Sequence, residues 1–290
     1  MPLLSTSGAR ALPVVRVRGG QAETADDWLA AEEPLEIRLM WGDRVQRLAV
    51  TMRTPGHDAD LAVGFLVGEG VIRSPEDVLD AFHAPIQGGQ TDPNIVAVRL
   101  ASGVTFDAGR LERHVYTTSS CGVCGKASLE AVGVITGAPL APGPRLTPEA
   151  IHAMPALLRE AQDVFEQTGG LHAAALFSVS GGGASCDLLR VREDVGRHNA
   201  VDKLVGSYFA SGETVPPQAV VLVSGRASFE LAQKALVAGI SVLAAVGAPS
   251  SLAADLAREH GMTLLGFVRD GRFNVYAGAE RLDLSASGDR

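Results

Sequence analysis

Two unbroken apolar stretches, Ala219 to Val223 and Ile240 to Val246, constrain the fold of this chain more than any other feature. Neither alternates with polar residues, so each is expected as a strand covered on both faces, as in a parallel sheet. Each runs into a small-residue loop and then a helical segment. Ser224-Gly225-Arg226-Ala227-Ser228 precedes Phe229 to Ala238, and Gly247-Ala248-Pro249-Ser250-Ser251 precedes Leu252 to Glu259. Gly239 and Gly261 mark the helix ends. Two strand–loop–helix units in tandem predict parallel strands joined by crossovers. Thr263 to Val268 and Phe273 to Tyr276, joined through Asp270-Gly271, read as a closing hairpin.

Upstream the pattern differs. Residues 1–30 read as a loose leader, with a short strand at Val14 to Val17. Leu35, Ile37 and Leu39 alternate with polar residues, Gly42-Asp43 makes a turn, and Val45 to Met52 follows as a partner strand. Asp58 to Leu66 reads as a helix after the Pro55-Gly56 break, and Ile95 to Leu100 with Val104 to Phe106 as a second hairpin. Residues 31–115 therefore look like a small α+β unit, and 116–290 like the larger α/β unit. Within the latter, Thr147-Pro148 starts a helix running to about Gln167, and Ala173 to Val179 is a buried strand.

Ligands in an open parallel sheet bind beyond the carboxyl ends of its strands. The loop at Ser224, Arg226 and Ser228 combines two hydroxyls, a guanidinium and a helix start, a suitable phosphate cradle. Arg192 to Asn199, including Arg197 and His198, is unusually dense in polar side chains. Arg269 and Arg272 flank the Asp-Gly turn, where paired arginines can clamp a pyrophosphate. The plainer alternative for all three is a solvated loop capping a helix or strand. His172 and His57 fit packing or capping at least as well as function, Trp28 and Trp41 fit packing, and Cys186 fits a small buried apolar residue.

Two of the three cysteines form Cys121-Gly122-Val123-Cys124, followed by Gly125 and Lys126. Helix onset after this loop and the lysine ammonium both favour a thiolate, so reactive sulfur is one reading. A zinc site, with His172 or Cys186 completing the ligands, and a structural turn are the others. Three cysteines in 290 residues do not make a disulfide scaffold. Thioredoxin-like redox fits less well, because over a hundred residues precede the motif.

Composition narrows the class. A net charge of −8 argues against broad nucleic-acid binding, and no apolar run is long enough for a membrane span. Free thiols and no export-like start suggest the cytoplasm.

Several segments together resemble the formate dehydrogenase accessory sulfurtransferases, usually called FdhD. They are Met52-Arg53-Thr54-Pro55-Gly56, Gly64-Phe65-Leu66 with Glu69-Gly70, Thr118 to Lys126, Gly169 to Ala174, Arg192 to Lys203, Ser224 to Glu230 and Gly266 to Arg269. The resemblance implies a cytidine-deaminase-like three-layer α/β C-terminal domain, a smaller N-terminal α+β domain and a homodimer. It implies that persulfide sulfur passes from a cysteine desulfurase to Cys121, assisted by Cys124. It also implies that this sulfur reaches the molybdenum cofactor, in its bis(molybdopterin guanine dinucleotide) form, for formate dehydrogenase. That cofactor would be a bound substrate, with no permanent metal. The family's cofactor-contacting stretch maps onto Phe267, Val268, Arg269, Asp270, Gly271 and Arg272. Gly247-Ala248-Pro249 stands where many relatives have Ser-Ala-Pro. A zinc deaminase is disfavoured: Cys121 follows serine, not proline, and no glutamate lies two residues after His172. A non-catalytic chaperone for the cofactor is the alternative role.

Overall fold

The computed structural model describes residues 8–85, 89–106 and 140–284. It is a mixed α/β protein with three sheets. The largest has six strands in the order β12-β11-β10-β9-β7-β8, formed by β7 (His172–Ser180), β8 (Ser185–Asp194), β9 (Val220–Val223), β10 (Val242–Ala245), β11 (Thr263–Arg269) and β12 (Arg272–Ala277). As the apolar runs predict, β9, β10 and β11 are parallel and β11–β12 is the closing hairpin. The short β9 and β10 are buried along their whole length because helices cover both faces.

One face packs on α2 (Pro148–Glu160), where Ile151, Met154 and Leu158 meet Ala175, Phe177, Leu222 and Ala244. Thr147 caps this helix, as predicted, but it ends at Glu160. A separate turn, α3 (Asp163–Thr168), follows because Glu193 accepts from the Val164 and Phe165 amides and re-nucleates the chain there. The other face carries α4 (Arg197–Phe209), α5 (Phe229–Val237) and α6 (Ser251–Glu259), with Leu176, Val221, Leu243 and Leu264 beneath them. Each such buried aliphatic side chain contributes about 1.5–3 kcal/mol relative to exposure.

Outside α4 lies α1 (Asp58–Gly68), and outside that a four-stranded sheet, β4-β3-β6-β5. Its strands are β3 (Glu33–Trp41), β4 (Arg44–Arg53), β5 (Val78–Pro85) and β6 (Thr91–Leu100). The β3–β4 hairpin turns at Gly42-Asp43 as expected. The second hairpin does not form as read: β6 pairs backwards with β5 and in parallel with β3, and 104–106 is not a strand. The Phe106 ring instead packs edge-on against Trp41, 5.3 Å between centroids.

The joint between α1 and α4 is set by two glycines. A Cβ on Gly64 would collide with the Asp202 carbonyl, and one on Gly206 with the Asp60 carbonyl. Only glycine lets the helices approach backbone to backbone here.

The amino-terminal residues correct the leader assignment. Ala9–Arg18 (β1) and Gln21–Ala30 (β2) form a ten-residue antiparallel hairpin around Gly19-Gly20, both with positive φ. Pro13 and the Glu23, Asp26 and Asp27 side chains obscure its alternation in sequence. Its Val15, Val17 and Trp28 are exposed, so Trp28 is not a packing residue here. Among the described residues, no helix is long and apolar enough to cross a membrane.

Candidate functional site

The parallel strands β9, β10 and β11 all deliver their carboxyl ends to one edge of the six-stranded sheet. The start of β7, the end of β8 and the start of β12 lie at that same edge, as the pairing registers require. Five segments far apart in sequence therefore share one rim: His172, Arg192–Asn199, Ser224–Ser228, Gly247–Ser251 and Phe267–Arg272.

Backbone hydrogen bonds tie these segments together. The Ser224 amide donates to the Ala173 carbonyl at 2.9 Å, Gly247 to Gly225 at 2.9 Å, Ser250 to Ala227 at 2.9 Å and Phe267 to Gly247 at 3.0 Å. The sheet ladder thus continues into its own loops, leaving little room between them. A Cβ on Gly247 would lie 3.0 Å from the Gly225 carbonyl oxygen and 3.1 Å from the Arg226 side chain. Glycine at this position suits the close loop packing in this chain. Phe267 adopts φ 55°, where the β11–β12 register shifts, and Asp270 and Gly271 follow at φ 54° and 68°. A left-handed phenylalanine is rare and costs backbone energy, and such strain gathers at ligand sites.

The predicted side chains divide into two groups. Ser224 Oγ accepts from the Ala173 amide at 2.9 Å, and Ser228 Oγ caps α5 by accepting from Leu231. The Arg192 guanidinium reaches away from the rim to Asp60 of α1 at 2.9 and 3.1 Å. Burial pushes the Asp60 carboxyl up, but His57 and Arg192 outweigh it and hold it below its ordinary value. Arg226, Arg269 and Arg272 remain exposed on the rim, with Arg269 and Arg272 directly opposite each other across the hairpin. Phe267 and Arg197 are half-buried, and the buried Arg197 Nε has no hydrogen-bond partner among the described residues. Val268 is buried in the core beneath α2.

Much of the polar density in Arg192–Lys203 proves to be architectural. Asp194, fully buried, meets Lys203 at 2.7 Å and accepts from the Thr54, Gly196 and Asn199 nitrogens. Lys203 also donates to the Thr54 carbonyl at 2.7 Å, and Asn199 to the Met52 carbonyl at 2.8 Å. Arg53, equally buried, makes a two-pronged pair with Asp58, both contacts at 2.9 Å. The Met52-Arg53-Thr54 segment and the Arg192–Lys203 segment are therefore two halves of one buried network joining the small sheet to the large one.

Two histidines stand at the rim in contrasting surroundings. His172 lies under Gly225, and burial together with the Arg197 charge lowers its pKa, keeping the ring neutral near pH 7. His198, on the first turn of α4, directs Nε2 at Ser228 Oγ (3.4 Å) and Glu230 Oε2 (3.3 Å) on α5. Glu230 was not singled out from sequence, since a glutamate in a first helical turn is an ordinary dipole partner.

Cys121, Cys124 and Lys126 lie outside the described residues. Cys186 is half-buried, its thiol donating to the Ala150 carbonyl at 3.3 Å, and burial raises its pKa, as suits an inert side chain.

Residues 30–283 match the FdhD/NarQ family. The chain belongs to that family. It is 54% identical over 279 residues to the sulfur carrier protein FdhD of Streptomyces coelicolor, covering 94% of this chain and 95% of the other. Against the protein of the same name from Mycobacterium tuberculosis it is 50% identical over 270 residues, 90% of this chain and 94% of the other. Among solved structures it resembles one from Desulfotalea psychrophila, provisionally named a formate dehydrogenase accessory protein. The TM-score there is 0.74 at 26% identity, covering 96% of this chain and all of that one. Both the α/β fold and the seven-segment resemblance accord with FdhD/NarQ membership.

Proposed function

We propose that this FdhD/NarQ chain is a cytoplasmic, homodimeric sulfurtransferase that serves formate dehydrogenase maturation. Cys121 takes sulfur from a cysteine desulfurase persulfide: the donor S–S bond breaks, a new one forms on Cys121, and the donor cysteine leaves as a thiol. The sulfur then passes to the molybdenum cofactor, the substrate, in bis-guanine-dinucleotide form. The Cys124 thiolate attacks the Cys121 sulfur, the persulfide S–S bond breaks, a Cys121–Cys124 disulfide forms, and the outer sulfur leaves at the sulfide level to the cofactor. One observation carries this reading: relatives sharing half their residues with this chain over nearly full length are named sulfur carriers, and this chain keeps a glycine-flanked Cys121–Cys124 pair. A thiolate is the sulfur-accepting form, and a lysine close by in sequence, Lys126, favours it. The rim suits an anionic dinucleotide: Arg226, Arg269 and Arg272 are exposed at the carboxyl ends of parallel strands, beside the strained Phe267.

Intact-mass analysis after incubation with a desulfurase and cysteine tests the first step. A gain of ~32 Da that disappears in Cys121→Ser supports it, one sulfur having been added. Full retention of formate dehydrogenase maturation by Cys121→Ser would show instead that the protein only holds the cofactor. Stoichiometric zinc on the purified protein would overturn the sulfur-carrier role of the cysteines.

A further inference from the structure

We propose that Glu230 is a positioning residue of the rim: it fixes the His198 imidazole across the α4–α5 seam as a proton-bearing contact for an anionic ligand. His198 lies in the first turn of α4 and Glu230 in the first turn of α5, so their helices start side by side at the sheet's carboxyl edge. The single nitrogen Nε2 faces both Ser228 Oγ and Glu230 Oε2, two groups at the start of the same helix, which turns that edge of the ring toward α5. Both side chains retain about a fifth of their exposure, 19% and 18%. They are shielded enough for the pair to escape full screening, and the contacting Glu230 Oε2 is itself buried.

The seam has an excess of negative charge. One helical turn deeper on each helix, Asp202 meets Lys234 at 2.8 and 3.0 Å. Burial is the main reason the Asp202 carboxyl is raised to about 6. Lys234 opposes this, while Glu230 and Glu69 add to it. Three carboxylates, Glu69, Asp202 and Glu230, thus act on one ammonium, that of Lys234. Other charged or titratable groups on surrounding elements include Arg197 and Lys203 on α4, Arg192, Glu193 and Asp194 on β8, His172 on β7 and Arg226 on the preceding loop. His172 provides the internal contrast: it lies near Arg197 and is kept neutral, whereas His198 lies beside a carboxylate.

Only the choice of ligand rests on the proposed function, which supplies a guanine diphosphate moiety; GDP is therefore the probe. Calorimetric titration of the full chain with GDP, in two buffers of different ionisation enthalpy, should show proton uptake and affinity about tenfold higher at pH 6 than at pH 8. Glu230→Gln should flatten that ratio to about twofold, and Glu230→Asp should restore part of it. His198→Gln should abolish it. Equal weakening at every pH in Glu230→Gln, or an unchanged slope, would overturn the proposal in favour of a structural glutamate. Proton NMR of the His198 ring in the unliganded protein gives an independent answer. Its titration must move to lower pH in Glu230→Gln, and an unmoved titration refutes the pair. If wild type binds no GDP while the NMR shift appears, the nucleotide reading fails and the positioning role stands.

Discussion

The joint between the two sheets and the rim of the large sheet are built from the same residue types and use them in opposite ways. At the joint, Arg53, Asp58, Asp194 and Lys203 are buried and every charge is answered by a partner or a backbone group. At the rim, Arg226, Arg269 and Arg272 stand in solvent. A buried charge left alone is costly, so the joint charges are fixed by the fold. An exposed arginine costs the fold almost nothing, so it remains available for a ligand. Density of charge in a motif therefore does not identify a binding site; what matters is whether the fold has already used the charge.

The sharpest break of this contrast is at the joint's backbone. Gly64→Val or Gly206→Val should prevent the α1–α4 crossing and cost more than about 3 kcal/mol, seen as loss of the cooperative thermal transition. Lys203→Met should follow closely. It leaves Asp194 buried without its cation, and about 3–5 kcal/mol should be lost in chemical denaturation.

Two carboxylates with shifted pKa values, Asp202 and Asp60, sharpen the contrast through pH. Asp202 titrates higher in the fold than in the unfolded chain, so its stabilising contribution is complete below about pH 4 and is lost as pH rises through about 6. Asp60 titrates lower in the fold, so its contribution is present above about pH 4 and is lost on acidification below that. Thermal melts from pH 3 to 8 should show the first trend vanish in Asp202→Asn and the second in Asp60→Asn. If either variant tracks wild type across its window, that assignment is wrong.

The smallest effect on stability should come from the rim. Arg269→Ala with Arg272→Ala should change stability by no more than about 0.5 kcal/mol while weakening GDP binding at least tenfold. If the double variant unfolds like the joint variants, the division between the two regions fails.

The tandem units of the last third were legible because their cues are local: apolar runs, capping serines and terminal glycines are read within ten residues. The same locality misled elsewhere. Pro13 and a run of acids disguised the β1–β2 hairpin, and β6 took a partner from Val78–Pro85 where the nearer 104–106 had been expected. In the site, the rim segments and the histidines were visible as motifs. The Glu230 contact was not, because it depends on the spacing of α4 and α5, which no local pattern encodes.

By itself, then, the sequence determined the parallel strands and the loops at their carboxyl ends, and it showed where thiols and arginines gather in short motifs, since each follows from neighbouring residues. Only the tertiary structure decided which charges the fold consumes. Arg192 turns to Asp60, Asp194 to Lys203, and Ser224 and Ser228 to backbone amides, while Arg226, Arg269 and Arg272 stay in water. The reason is desolvation: whether a polar group needs an internal partner depends on what packs over it, and that is settled by the tertiary packing, as where Asp60 meets Arg192 from 132 residues away.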